Sequence, residues 1–77
     1  MSPRPRHEMP EDVARALEAA GMRAAYDARP PFQRNDYIGW ITRAKQAVTR
    51  EKRIAQMLEE LARGDVYMKM DWPPGRA

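Results

Sequence analysis

The sequence predicts an all-α fold: a compact bundle of four short helices followed by an extended C-terminal segment. Three observations predict it. Apolar residues recur at helical spacing in four stretches. The composition is rich in Ala, Glu, Arg, Leu and Met, all good helix formers, and poor in Val and Thr. Gly and Pro gather at a few places, where they act as punctuation. The 77 residues allow one domain, and with no cysteine neither disulfides nor thiolate metal sites can staple it. A core of this size rarely yields more than about 3–5 kcal/mol of net stability.

The elements follow in order. Residues 1–8 read as a disordered Pro/Arg-rich tail, too polar to offset the entropy of ordering. A helical domain spans 9–64, and residues 65–77 form the extended segment. Pro10 suits a first helical turn, Glu11 and Asp12 complement the helix dipole, and Gly21 ends the run. The first helix is therefore residues 10–20. A short second helix covers 22–29 and stops at Pro30-Pro31. Phe32, just past that break, is expected to plug the core from a loop. A third helix, capped by Gln33 or Asn35, runs over 34–46 with Tyr37, Ile38, Trp40, Ile41 and Ala44 on its apolar face. Thr49 is a good N-cap for a fourth helix over 50–63, where Ile54, Met57, Leu58 and Leu61 give the cleanest periodicity and Gly64 the stop. The expected core is Val13, Leu17, Tyr26, Phe32, Ile38, Ile41, Ile54, Leu58 and Leu61.

Beyond Gly64 the period changes to two: Val66, Met68, Met70 and Trp72 alternate with Tyr67, Lys69 and Asp71. With no second strand-like segment to pair with, this stretch is expected either to pack across the helices as an ordered arm or to bind a partner. Ordered packing keeps Trp72 and the methionines from forming a wet apolar strip.

Charge is uneven. Residues 29–53 hold seven basic side chains against two acidic ones, in a chain whose total is +3. Arg50 falls in the middle of the apolar stripe of the fourth helix, where a cation also opposes the dipole. Two arrangements would explain it. One is an ion pair with Glu18, Asp27 or Asp36. The other is an anion site built from Thr49, the free N–H groups of the helix start, Arg50 and Arg53. Trp40 reads as a core or core-edge residue that, if half exposed beside Arg43 and Lys45, would stack on a base or a partner side chain.

Catalytic chemistry is poorly supplied. His7 and Ser2 are the only residues of their kinds and both lie in the tail, so no nucleophile–base pair assembles. The adjacent acids Glu59-Glu60 read as solvated surface. No metal-ligand spacing, phosphate loop or membrane-spanning apolar run is present, so no metal, cofactor or membrane insertion is expected. The basic start lacks a following apolar stretch, and a cytoplasmic location is expected.

The run Tyr37-Ile38, Trp40-Ile41, Ala44-Lys45, then Thr49-Arg50, Arg53-Ile54, then Leu61-Ala62 and Gly64 resembles the bacterial YdeI/OmpD-associated, or bacteriocin-protection (OmdA), family. Pro10, Asp12-Val13, Ala16-Leu17 and Ala25-Tyr26 are similar to that family's start, so the resemblance covers about residues 9–64. One departure is Val48, which stands where members commonly carry an acid. The resemblance implies a small helical domain linked to bacterial stress or bacteriocin protection.

The expected function is accordingly a non-catalytic protein-interaction module with a protein partner. Its binding residues are expected to be Trp40, Lys45, Thr49, Arg50 and Arg53, with Met68, Met70 and Trp72 as a second strip. The alternative is a small basic nucleic-acid-binding helical protein, resting on the basic 29–53 segment, the pI near 9.7 and a helix–turn–helix-like pairing of the third and fourth helices.

Overall fold

A proline or a glycine marks most of the element boundaries in the computed structural model, which describes residues 6–72. The elements are α1 (Glu11–Ala19), α2 (Arg23–Asp27), α3 (Pro31–Thr42), α4 (Ala47–Arg63), β1 (Val66–Tyr67) and β2 (Met70–Asp71). Pro10 is the extended residue before α1, and Glu11 and Asp12 fill its first turn. At the other end Gly21 takes φ +68°. The Gly21 N–H then reaches the Glu18 carbonyl at 3.1 Å and the Met22 N–H the Leu17 carbonyl at 2.9 Å. These two bonds form a Schellman closure, which turns the chain directly into α2.

α3 begins three residues earlier than the sequence suggests. Pro31 occupies its first position, where a missing N–H costs nothing, and Pro30 supplies the extended entry. The Pro-Pro pair therefore both ends α2 and starts α3. Phe32 falls on the first turn of α3 and is 47% exposed, which corrects its expected place in the core. α3 also ends earlier, at Thr42, and α4 starts at Ala47, so Thr49 lies inside α4 and is not its cap; Gln46 holds that place.

The core gathers Val13 and Leu17 from α1, Tyr26 from α2, Tyr37, Ile38 and Ile41 from α3, and Met57 and Leu61 from α4. Fully burying one such side chain is worth about 1.5–3 kcal/mol. Ile54 and Leu58, expected inside, are only partly buried and pack against its edge. Of the expected tail, residues 1–5 lie outside the described residues. Residues 6–8 run beside α3, where the His7 N–H donates to Asn35 Oδ1 at 2.8 Å.

The His7 ring rests on Gly39, where an added Cβ would come within 2.7 Å of Nε2. Replacing Gly39 with Ala is thus expected to lift residues 6–8 off α3 while the helix itself, gaining propensity, keeps its stability within about 1 kcal/mol. Amide shifts of His7, Glu8 and Asn35 that stay unchanged in the variant would contradict this.

The fold is mostly helical but not purely so. The C-terminal segment pairs with itself: β1 and β2 form a two-stranded antiparallel hairpin with Val66 opposite Asp71 and Tyr67 opposite Met70. The Trp72 N–H to the Asp65 carbonyl, at 2.8 Å, extends the ladder. Met68 and Lys69 make the two-residue turn at φ 49° and 64°. Both are left-handed conformations that a hairpin turn of this kind needs and that Asn or Gly normally supplies. Lys69→Gly, at an exposed position, is expected to stabilise the domain by about 0.5–1 kcal/mol in urea unfolding by relieving that strain.

Candidate functional site

Glu60, in the last turn of α4, explains how such a turn forms without glycine. It is 4% exposed. Its carboxylate accepts the Met68 N–H at 2.7 Å, the Lys69 N–H at 2.9 Å, Gln56 Nε2 at 3.0 Å and a short bond from the Tyr37 hydroxyl. Burial raises the Glu60 pKa, but the Tyr37 hydroxyl, the two turn amides and Gln56 together outweigh it and hold the group below its ordinary value. Burial, and then the bond to Glu60, pushes the Tyr37 hydroxyl up. Only half of the Glu59-Glu60 expectation survives: Glu59 is exposed, and Glu60 is the buried support of the hairpin.

Arg29, between α2 and α3, is a second buried polar group, 4% exposed. Nη1 donates to Gln33 Oε1 at 3.1 Å and Nη2 to the Glu60 carbonyl at 3.0 Å. The Trp72 ring covers its guanidinium at 4.7 Å. Trp72 is therefore an ordered, half-buried lid on Arg29. Neither Glu60 nor Arg29 stands out in the sequence, because each depends on a partner far along the chain, 31 positions for the Arg29–Glu60 bond and 23 for the Tyr37–Glu60 bond.

The residues expected to form an anion site are drawn into internal contacts. Arg50 grips Asp12 through two bonds, Nε to Oδ2 at 2.8 Å and Nη2 to Oδ1 at 3.1 Å. The ion pair is real, but its acid is Asp12 and not Glu18, Asp27 or Asp36. The Arg50 bond lowers the Asp12 pKa and raises that of Arg50. Arg53 Nη1 donates to the Trp40 carbonyl at 2.6 Å and its guanidinium lies 5.3 Å from the Trp40 ring centre. It thereby satisfies an otherwise open carbonyl at the end of α3, where a cation also suits the dipole. Thr49 is half-buried one residue from Arg50, and Lys45 is exposed in the α3–α4 corner.

What remains open is an apolar strip at the hairpin. The Tyr67 ring meets Tyr37 edge-on at 5.5 Å and Phe32 at 6.0 Å. Its hydroxyl donates to Asp36 at 2.6 Å. Met70, directly across the ladder from Tyr67, is 58% exposed. Phe32, Tyr67 and Met70 thus carry the aromatic stack from the core out to solvent. Met68 is partly buried against the core, so of the expected second strip Met70 is the most open. Phe32 reaches the surface because α3 starts at Pro31, three residues before its expected start. Among the described residues no three metal-ligating side chains gather, and no helix is long and apolar enough to cross a membrane.

The fold and site define a small, mostly helical domain that uses its buried polar groups to mount a short hairpin. The sequence pattern of the family described as "Bacteriocin-protection, YdeI or OmpD-Associated" matches residues 6–64, and the chain belongs to that family. The match ends at Gly64, so the hairpin lies beyond it. No curated protein and no solved structure matches the chain.

Proposed function

We propose that this chain is a non-catalytic protein-interaction module acting in the cytoplasm, of the bacteriocin-protection or stress type that its family's description suggests. The observation that carries this reading is the Phe32–Tyr67–Met70 strip, an aromatic and methionine surface shared between the start of α3 and a hairpin whose turn is fixed by Glu60. Aromatic and Met side chains on a rigid support are the composition of contact centres between proteins. Trp40 and Lys45, half-buried and exposed respectively, would lie at a second margin of contact. The test is a comparison of tagged wild type with Met70→Glu and Phe32→Glu in cell extract, each variant first checked for unchanged unfolding. A partner retained by wild type and lost by both variants supports the reading; partners that ignore both changes sink it.

Nucleic-acid binding is the second reading, and its support is narrower than the sequence suggests. Of the seven basic residues in 29–53, Arg29, Arg34, Arg50 and Arg53 donate to protein acceptors. Arg43, Lys45 and Lys52 remain exposed. Three phosphate contacts give a log–log salt slope of about −3 on duplex DNA. A duplex titration with residue-resolved shifts on 43–52 that persist at physiological salt would favour this reading over the first.

A further inference from the structure

We propose that the cleft between the N-terminal arm and the start of α3 binds a small aromatic anion, a phosphate or carboxylate joined to a flat ring. The cleft has a volume of about 450 Å³ and is lined by Arg6, His7, Arg34, Tyr26, Pro31 and Phe32 among others. That size is within the range of small-molecule sites. Its wall is built rather than incidental. The arm is fixed by the His7 N–H bond to Asn35 and by the seat of the His7 ring on Gly39. On the other side, Arg34 Nε donates to the Arg29 carbonyl at 3.1 Å, which anchors its guanidinium at the wall.

Charge selects the ligand's sign. Two guanidinium groups line this cleft and no carboxylate does. Of the acids next to the lining residues in sequence, Asp27 pairs with Arg23 at 3.2 Å and Asp36 accepts the Tyr67 hydroxyl, while Glu8 is exposed on the arm and does not line the cleft. The other sizeable cleft, between α4 and the hairpin, sets Glu59, Glu60 and Asp71 against Lys52, Arg63 and Lys69, so it has no such preference. Shape selects the ligand's body. The half-exposed Phe32 side chain lines the cleft together with the two cations, and an aromatic group packed on it would cover apolar surface that water now wets. Guanidinium groups pair with planar carboxylates and with phosphates in two-bond geometry. Neither cation nor ring alone requires this ligand; their placement in one fixed cleft does.

The inference goes beyond the protein-contact reading and does not rest on it: Phe32 belongs to both surfaces, but Arg6 and Arg34 line the cleft alone and Met70 belongs to the strip alone, so Arg6→Gln and Met70→Glu test the two separately. The experiment is an amide-shift titration of the full chain at physiological salt with phenyl phosphate, with inorganic phosphate and with phenol. Saturable shifts on residues 6–7 and 32–35 are expected, with phenyl phosphate bound about tenfold more tightly than either half-molecule, a difference of about 1.4 kcal/mol. Arg6→Gln, on the exposed arm, is expected to weaken phenyl phosphate binding about three- to tenfold without touching the fold. Arg34→Lys tests the second cation while keeping its charge, and a loss of similar size is expected because the two-bond geometry is gone. Inorganic phosphate binding as tightly as phenyl phosphate would overturn the proposal, as would shifts outside the cleft or full affinity in Arg6→Gln.

Discussion

Replacing Glu60 with Ala is expected to cost the domain about 3 kcal/mol or more and to melt the hairpin. The change removes one acceptor group from four donors at once. It strands the Tyr37 hydroxyl inside the core and leaves the Met68 and Lys69 amides without the bonds that hold a left-handed turn. Each buried donor left unmade costs about 1–3 kcal/mol. Against the ceiling of about 3–5 kcal/mol that a core of this size rarely exceeds, that brings the chain close to its midpoint in plain buffer. Glu60→Gln keeps the shape and one acceptor oxygen but turns an NH2 towards a donor, so an intermediate loss is expected. Urea unfolding followed by tryptophan fluorescence reads both; an alanine variant within about 1 kcal/mol of wild type would refute the role given to Glu60.

The same group sets the acid limit of the fold. Folded Glu60 holds its proton less tightly than it would unfolded, so its contribution is complete above the ordinary value of 4.5 and fades as pH falls through the lower folded value. Asp12, lowered by Arg50, acts in the same direction below 3.8, with a smaller effect because the pair is partly exposed. Stability is therefore expected to be flat from neutral pH down to about 5 and to fall below it. Glu60→Gln should flatten part of that fall and leave the part that belongs to Asp12.

Arg29→Ala is the second large loss, expected at about 2–3 kcal/mol. Gln33 Oε1 would lose its donor, and Gln33 Nε2 already finds no partner among the described residues, so a whole amide would be buried unmet. The Trp72 ring would also lose the cation it covers. The Glu60 carbonyl suffers less, because it still accepts the Gly64 N–H at 2.9 Å. Arg29→Met restores the stem that fills the space and is expected to recover about half of the loss. If Met and Ala variants unfold alike, the guanidinium bonds carry the effect and packing does not. Trp72 emission should shift to the red in both.

The helices were legible because their signals are local. The apolar spacing of Val13 and Leu17, or of Met57 and Leu61, needs no knowledge of the rest of the chain, and Gly21 and Gly64 end their helices as read. The differences have two causes, a partner distant in sequence and a signal open to two readings. Pro31 could end one helix or begin the next, and the wrong choice carried Phe32 into the core. Val66 to Trp72 read as one strand because Met68-Lys69 is no ordinary turn sequence; the missing glycine is replaced by Glu60. Arg50 was rightly read as needing a reason, but Asp12 was overlooked because its place at the start of α1 already had a local explanation. The open strip at Phe32, Tyr67 and Met70 needed both the corrected α3 and the hairpin before it could be seen.

The turn amides of Met68 and Lys69 have one more consequence. A two-residue turn at the edge of a small sheet ordinarily exchanges its protons with solvent by local fraying. Here both amides end on a carboxylate that is also bonded to α3 through Tyr37 and to its own helix through Gln56. Releasing them means pulling the turn off a group that the helical core holds in place. In deuterated buffer these two protons are expected to exchange more slowly than those of a turn bonded only to itself, and Glu60→Gln is expected to speed both.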